Sequence, residues 1–160
     1  QAALAEKNEA SSRAYASALE ILAGQREAQA NASLALEHRA EGEADDARAR
    51  ADEAGEAQHR AEEAEQLALQ RMHALEASGM QDSHELLHLR KQLRAARNLT
   101  QEWRIESSRQ EAAYTQAETE RLEAQARAEK SAAAATSASE ARSIALAKLE
   151  SSEESSKKAV

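Results

Sequence analysis

The segment His84-Glu85-Leu86-Leu87-His88 has the residue types and spacing of a zinc-protease helix. In such a helix the two histidines lie one turn apart and bind zinc, while the glutamate activates the metal-bound water. A catalytic zinc needs a third protein ligand, and no histidine follows His88. Glu102 and Glu106 would lie more than about 20 Å away along one continuous helix. We interpret His84, Glu85 and His88 as a chance match, and we predict no catalytic residue, metal site or cofactor.

A basic stretch that follows this segment is the second candidate for chemistry. Its arginines can contact phosphate groups, and Trp103 can stack on a base. The arginines are Arg90, Arg94, Arg97 and Arg104. However, the chain has a net charge of −8, whereas surfaces that bind nucleic acids are basic. Residues 41–65 carry ten acidic side chains and three arginines. We predict that the acidic and basic segments lie side by side; two separately solvated charged faces and a weak DNA contact are the alternatives.

The composition predicts that helices position all of these residues. The sequence has no Pro, no Cys, no Phe, only 4 Gly and 2% aromatic residues. It is rich in Ala, Glu, Gln, Arg and Leu, which lose little side-chain freedom in a helix. The residues that favour strands are nearly missing, since Val160 is the only Val. The predicted fold class is therefore all-α, without disulfides or cysteine-bound metal.

Gly79 marks the predicted turn between two helical segments. Glycine adopts a positive φ without strain and often follows the last turn of a helix. Asp82 can then cap a second helix, with Glu85 three residues later as its capping-box partner. The predicted turn residues are Gly79, Asp82 and Ser83. The predicted segments are a first long helix over 1–78, the turn over 79–83, a second long helix over 84–130, and an Ala/Ser-rich helical extension over 131–160 with a fraying polar tail.

Small and apolar residues recur at spacings of three and four on both sides of the turn, which places them on one stripe of each helix. The predicted assembly seam consists of Ala40, Ala44, Ala47, Ala51, Ala54, Ala61, Ala64, Ala68, Leu75, Leu86, Leu89, Leu93, Trp103 and Tyr114. Alanine contributes little apolar area, and no large apolar residue lies between Leu36 and Leu67. We therefore predict a long antiparallel helical hairpin, coiled-coil-like, that assembles with other copies or with partner helices.

The region around the turn also resembles a small group of phage proteins. The resemblance rests on the run Ala74-Leu75-Glu76-Ala77-Ser78-Gly79-Met80, on Asp82-Ser83, on the Ala/Gln/Asn-rich residues 25–32, and on Asn98, Trp103 and Tyr114. Over residues 25–125 the chain resembles the internal core, or ejection, proteins of short-tailed bacteriophages. Two features depart from that family. Asp82-Ser83 replaces its usual Gly-Ser pair, and no apolar N-terminal segment is present.

The resemblance implies a non-enzymatic virion protein, packed in the capsid above the portal and expelled with DNA into the host envelope. It implies a homo-oligomer whose partners are other virion core proteins or the portal, while membrane contact stays open. A coiled-coil scaffold segment of a cellular, cytoplasmic protein is the alternative.

Overall fold

The computed structural model describes residues 2–79 and 84–158. Over these two ranges the chain forms helix α1, Ala2–Ala77, and helix α2, His84–Lys158, and it contains no strand. The two helices pack against each other, so the predicted all-α helical hairpin is confirmed. The predicted turn residues Asp82 and Ser83 lie outside the described ranges.

The chain divides into two compact units, and each unit contains part of both helices. The terminal unit comprises Gln1–Ala40 and Arg121–Val160, and the turn unit comprises Glu41–Glu120. Within each unit the two helices run antiparallel, because the partner residue in α2 moves to lower numbers as the residue in α1 moves to higher ones. These pairs are Arg13–Glu153 and Glu20–Arg142 in the terminal unit, and Glu62–Arg104 and Glu76–Arg90 in the turn unit.

Both helices are long because nearly every residue favours a helix and nothing in the sequence interrupts it. Alanine is the best helix former, and the chain has no proline. In the Ala/Ser-rich segment the hydroxyl groups bond to the helix backbone, as Ser131 Oγ does to the Arg127 oxygen at 2.9 Å. Thr136 Oγ1 bonds in the same way to the Ala132 oxygen at 3.0 Å. Helix α2 continues through this segment, where alanine is the most frequent residue, and the polar tail is helical as far as Lys158.

Burial along the helices follows a seven-residue repeat, the pattern of a coiled coil. In α1 one row of positions runs in steps of seven from Ala16 to Met72, and a second runs from Leu19 to Leu75. In α2 the corresponding rows run from Leu86 to Leu149 and from Leu89 to Ala145. We call these four rows the heptad seam. Every position in them is buried or half-buried except Arg26, which is exposed.

Gly79 ends the hairpin's first arm in the way that the sequence predicted. Its φ is 80°, and its N–H donates to the Glu76 oxygen at 3.2 Å. The Ser78 N–H donates to the Ala74 oxygen at 3.1 Å, and Ser78 Oγ donates to the Leu75 oxygen at 2.7 Å. Three carbonyl groups at the end of α1 are thus satisfied without a further helical turn.

Two glycine-to-alanine substitutions should change stability in opposite directions. A Cβ added at Gly79 or at Gly42 meets no atom within 4 Å, so backbone conformation alone decides the effect. Gly79→Ala should lower the free energy of unfolding by about 1–2 kcal/mol, because a side chain disfavours positive φ. Gly42→Ala, inside α1, should raise it by about 0.5–1 kcal/mol. Urea unfolding followed by circular dichroism measures both, and changes of equal sign would contradict this account of the turn.

Candidate assembly site

The largest apolar contribution to the heptad seam comes from leucines at the start of α2. Leu86 is 1% exposed, Leu89 is 7% and Leu93 is 5%. Leu75 and Met72 of α1 are half-buried. A fully buried leucine stabilises a fold by about 1.5–3 kcal/mol. These leucines therefore anchor the part of the turn unit that lies next to the turn.

Further from the turn, the buried side chains of α1 in the turn unit are alanines. Ala44, Ala47, Ala54 and Ala61 are between 3% and 8% exposed. Small side chains at a contact bring two helix axes close together, but each buries only a methyl group. This part of the heptad seam is therefore narrow and contains little apolar area.

The residues of the predicted assembly seam are buried, half-buried or, in one case, exposed. Besides the three leucines and four alanines above, six are half-buried: Ala40, Ala51, Ala68, Leu75, Trp103 and Tyr114. Ala64 is exposed, and its place in the repeat is taken by Glu65, one residue later. The prediction followed small residues from Ala61 to Ala64, whereas the helical repeat continues from Ala61 to Glu65. Glu65 tolerates this half-buried position because its carboxylate accepts a hydrogen bond from Arg97 Nε at 3.3 Å.

Sequence reasoning also missed the polar members of the heptad seam. Half-buried or buried polar residues occupy further seam positions in both units: Ser33, Glu37, Gln58, Thr100, Ser107, Gln110, Arg121, Ser131 and Arg142. Counting in strict steps of seven from Leu86 and Leu89 would have found these positions in α2.

Thr100 is the polar seam residue with the least satisfied side chain. It is 2% exposed, and its Oγ1 is buried without a hydrogen-bond partner. A buried hydroxyl group that makes no hydrogen bond costs about 1–3 kcal/mol. Thr100 therefore lowers the stability of the seam next to the leucine anchor.

Ion pairs follow one edge of the heptad seam in the turn unit. Arg90 pairs with Glu76 at 3.3 Å, Arg97 with Glu65 at 3.3 Å, and Arg104 with Glu62 at 3.0 Å. Two of these pairs join the basic stretch to Glu62 and Glu65 at the end of the acidic segment, as predicted, while Arg90 pairs with Glu76 beyond that segment. Such exposed pairs contribute at most about 1 kcal/mol each, so their main effect is to favour one alignment of the two helices.

The same ion pairs bear on the predicted contact with DNA. Three of the four arginines proposed for it, Arg90, Arg97 and Arg104, each bond to a glutamate of α1. Arg94 is exposed. A phosphate group would have to compete with those carboxylates, and the weak DNA contact stays a prediction.

The zinc-protease motif lies on the outer surface at the start of α2. His84, Glu85 and His88 are all exposed, and His88 Nε2 lies 3.1 Å from Gln92 Nε2. Among the residues that the structure describes, no group of three or more His, Cys, Asp or Glu side chains is placed to hold a metal ion. The two histidines therefore have no third protein ligand within that part of the chain.

Comparison with known proteins adds no relative to these observations, since no protein family, curated protein or solved structure matches the chain. Over the described ranges, neither helix contains a stretch long and apolar enough to cross a membrane.

Replacing the unsatisfied hydroxyl group of Thr100 should stabilise the hairpin. Thr100→Val keeps the shape of the side chain and removes the unpaired Oγ1, so the free energy of unfolding should rise by about 1 kcal/mol. Thr119→Val is the matched control. Thr119 is exposed, its Oγ1 donates to the Thr115 oxygen at 2.9 Å, and its replacement should change stability by less than about 0.5 kcal/mol. Urea unfolding measures both, and a loss of stability in Thr100→Val would contradict this description of the site.

The Glu62 carboxylate should titrate at a lower pH than an ordinary glutamate. Hydrogen bonds from Gln58 and then Arg104 hold the pKa of Glu62 below its usual value of 4.5. Since the folded-state pKa is the lower one, this contribution to stability is present above the unfolded pKa and is lost as pH falls through the folded pKa.

Carbon-detected NMR titration of the side-chain carboxyl groups measures this pKa directly. Gln58→Ala should raise the pKa of Glu62, because it removes the largest cause of the shift. The control Gln125→Ala breaks a similar bond in the terminal unit, to Glu129 at 3.1 Å, and should leave the pKa of Glu62 unchanged. An unchanged value in Gln58→Ala would contradict the prediction.

Proposed function

We propose that the chain is a structural protein that acts by packing helices together, and that it is an internal core or ejection protein of a bacteriophage virion. The second part of the proposal takes its direction from the resemblance around the turn. No residue is assigned a catalytic role. The expected partners are further copies of the chain and other core proteins or the portal, inside the capsid and, after ejection, in the host envelope.

The composition of the heptad seam is the observation that supports this proposal most strongly. Away from the leucine anchor, the turn unit buries alanine methyl groups, each contributing about 0.8 kcal/mol. Polar residues such as Gln58 and Thr100 occupy further seam positions, and polar seam residues lower the stability of a coiled coil. The two helices are therefore held weakly for their length.

Weak pairing suits a protein that must leave a capsid through a narrow channel. A single helix with its side chains is about 10–12 Å across, and separating a pair of helices requires only the loss of the contacts in their seam. After passage the helices can pair again in the same alignment, because the ion pairs of Arg90, Arg97 and Arg104 favour it. In this proposal the protein acts mechanically, and the low stability of the helix pair is what allows the two helices to separate.

A coiled-coil scaffold segment of a cellular protein is the second candidate. The observation in its favour is the continuity of the heptad seam, in which Arg26 is the only exposed position. Against a strong permanent coil, alanine occupies many of the positions at which stable dimers carry Leu, Ile or Val. The two candidates share the structural role and differ in location.

Peptide mass spectrometry on purified particles of the suspected parent phage tests the virion role. DNA-filled particles are compared with particles triggered to empty, and the signal is normalised to a capsid-shell protein that stays in both. Tryptic peptides that cover Met72–Arg90 should be present in filled particles and depleted at least about tenfold in emptied ones.

Each result decides between the candidates. Depletion on emptying supports an ejected protein, and equal amounts in both kinds of particle indicate a fixed part of the virion. Absence from both would contradict the virion role and favour the cellular scaffold.

A further inference from the structure

One long face of α1 in the terminal unit carries no charge. Between Ser11 and Leu36 the charged residues are Arg13, Glu20 and Glu27, which form one row beside the heptad seam, and Arg26, which lies in the seam itself. The remaining rows contain apolar residues, Gly24, Asn31 and Ser and Gln side chains but no charge, and every one of these residues is exposed. In a chain with 31% charged residues, we call this surface the uncharged face of α1.

The uncharged face carries large apolar residues as well as alanines. Tyr15 is 63% exposed, Ile21 is 61%, Leu22 is 41% and Leu36 is 59%. Meanwhile the seam positions beside them bury the small residues Ala16 and Ala23. Contiguous apolar surface of this kind on a soluble protein marks an interaction site.

The spacing on this face is that of a second helix-packing stripe. Positions 15, 18, 22, 25, 29, 32 and 36 alternate at intervals of three and four, as seam positions do in a coiled coil. They begin on the row next to the heptad seam and extend away from α2. The stripe covers about six turns of helix, so its shape fits another helix lying along it.

We propose that the uncharged face of α1 binds the same face of a second copy of the chain, with the two α1 helices antiparallel. The proposal rests on the structural role proposed above and adds the surface and the partner to it. Each copy has a net charge of −8, which favours contact through a face without charges. Two identical faces related by a two-fold axis form a closed, isologous interface.

The sizes of the side chains are complementary in that arrangement. When the two-fold axis passes between Leu22 and Gln25, Tyr15 lies opposite Ala32 of the second copy. Leu36 then lies opposite Ser11 of the second copy, and Leu22 opposite Gln25. Large residues thus meet small or flexible ones, which allows close packing without overlap.

Analytical ultracentrifugation of the full chain over a range of concentrations tests the proposal. The unmodified chain should form a dimer in reversible equilibrium with the monomer. Leu22→Glu should raise the dissociation constant at least about 100-fold, because it would bring two carboxylates close together beside the two-fold axis and remove them from water. Leu67→Glu is the matched control, since Leu67 is a leucine of α1 that is 49% exposed but lies in the turn unit. It should leave the dissociation constant unchanged.

Disulfide trapping tests the antiparallel arrangement independently. The chain has no cysteine, so each introduced thiol is the only one present. A mixture of Tyr15→Cys and Ala32→Cys chains should give mainly the mixed disulfide on oxidation. Circular dichroism of every variant confirms that its helix content is unchanged, so that a lost dimer is not mistaken for a lost fold.

Three results would overturn the proposal: a monomer at all concentrations, a dimer unaffected by Leu22→Glu, or disulfides that join Tyr15→Cys chains to each other in preference. A monomer that is nevertheless found in filled phage particles would refute this interface and leave the virion role standing. A chain that forms the dimer but is absent from phage particles would refute the virion role and leave this interface standing.

Discussion

The seven-residue repeat of buried positions is the constraint from which the other features of the hairpin follow. A helix of about 75 residues stays associated with a second helix only if its buried stripe keeps facing that partner, turn after turn. The chain maintains this repeat even where the residue at a seam position is polar. At Glu65 the repeat takes a charged residue into a half-buried site while the neighbouring Ala64 stays exposed. Helical periodicity therefore outweighs side-chain polarity at this position, and the ion pair with Arg97 compensates for part of the cost.

Alanine residues in the heptad seam let the two helices lie close together, but they contribute little free energy to the pairing. Because a narrow seam of alanines contributes little apolar free energy, the leucines of α2 near the turn supply a large share of it in the turn unit. The alignment of the helices must then be specified by something other than side-chain size, since one alanine fits as well as the next. That alignment is set by the turn at Gly79 and by the ion pairs of Arg90, Arg97 and Arg104. Each is worth little alone, but a helix slipped by one turn would lose all of the pairs together.

The sequence was sufficient to predict the fold class, the turn at Gly79 and the pairing of acidic with basic segments, because these depend on composition and local chemistry. Helix formers without proline leave few alternatives, and glycine is the residue that positive φ requires. The seam was predicted only where it is apolar. After Ala61 the spacing of small residues predicted Ala64 as the next seam position, whereas the seven-residue repeat of the structure places Glu65 there. In the terminal unit Ala16 and Ala23 were not predicted to be buried, because larger residues such as Ile21 and Leu22 lie beside them and sequence patterns favour burial of the larger ones.

The burial of small residues beside larger exposed ones in the terminal unit also has a thermodynamic consequence. Burying Ala16 and Ala23 while Ile21 and Leu22 stay exposed leaves most of the available apolar area of this region unused within one chain. This apolar area contributes to stability only when another helix covers it. If the covering helix belongs to a second copy, the stability of the terminal unit is coupled to protein concentration by mass action. The turn unit, in which Leu86, Leu89 and Leu93 are buried within the same chain, depends less on a partner. Assembly would then stabilise the terminal unit more than the turn unit, which is a direct physical route from a dispersed protein to an ordered structural element.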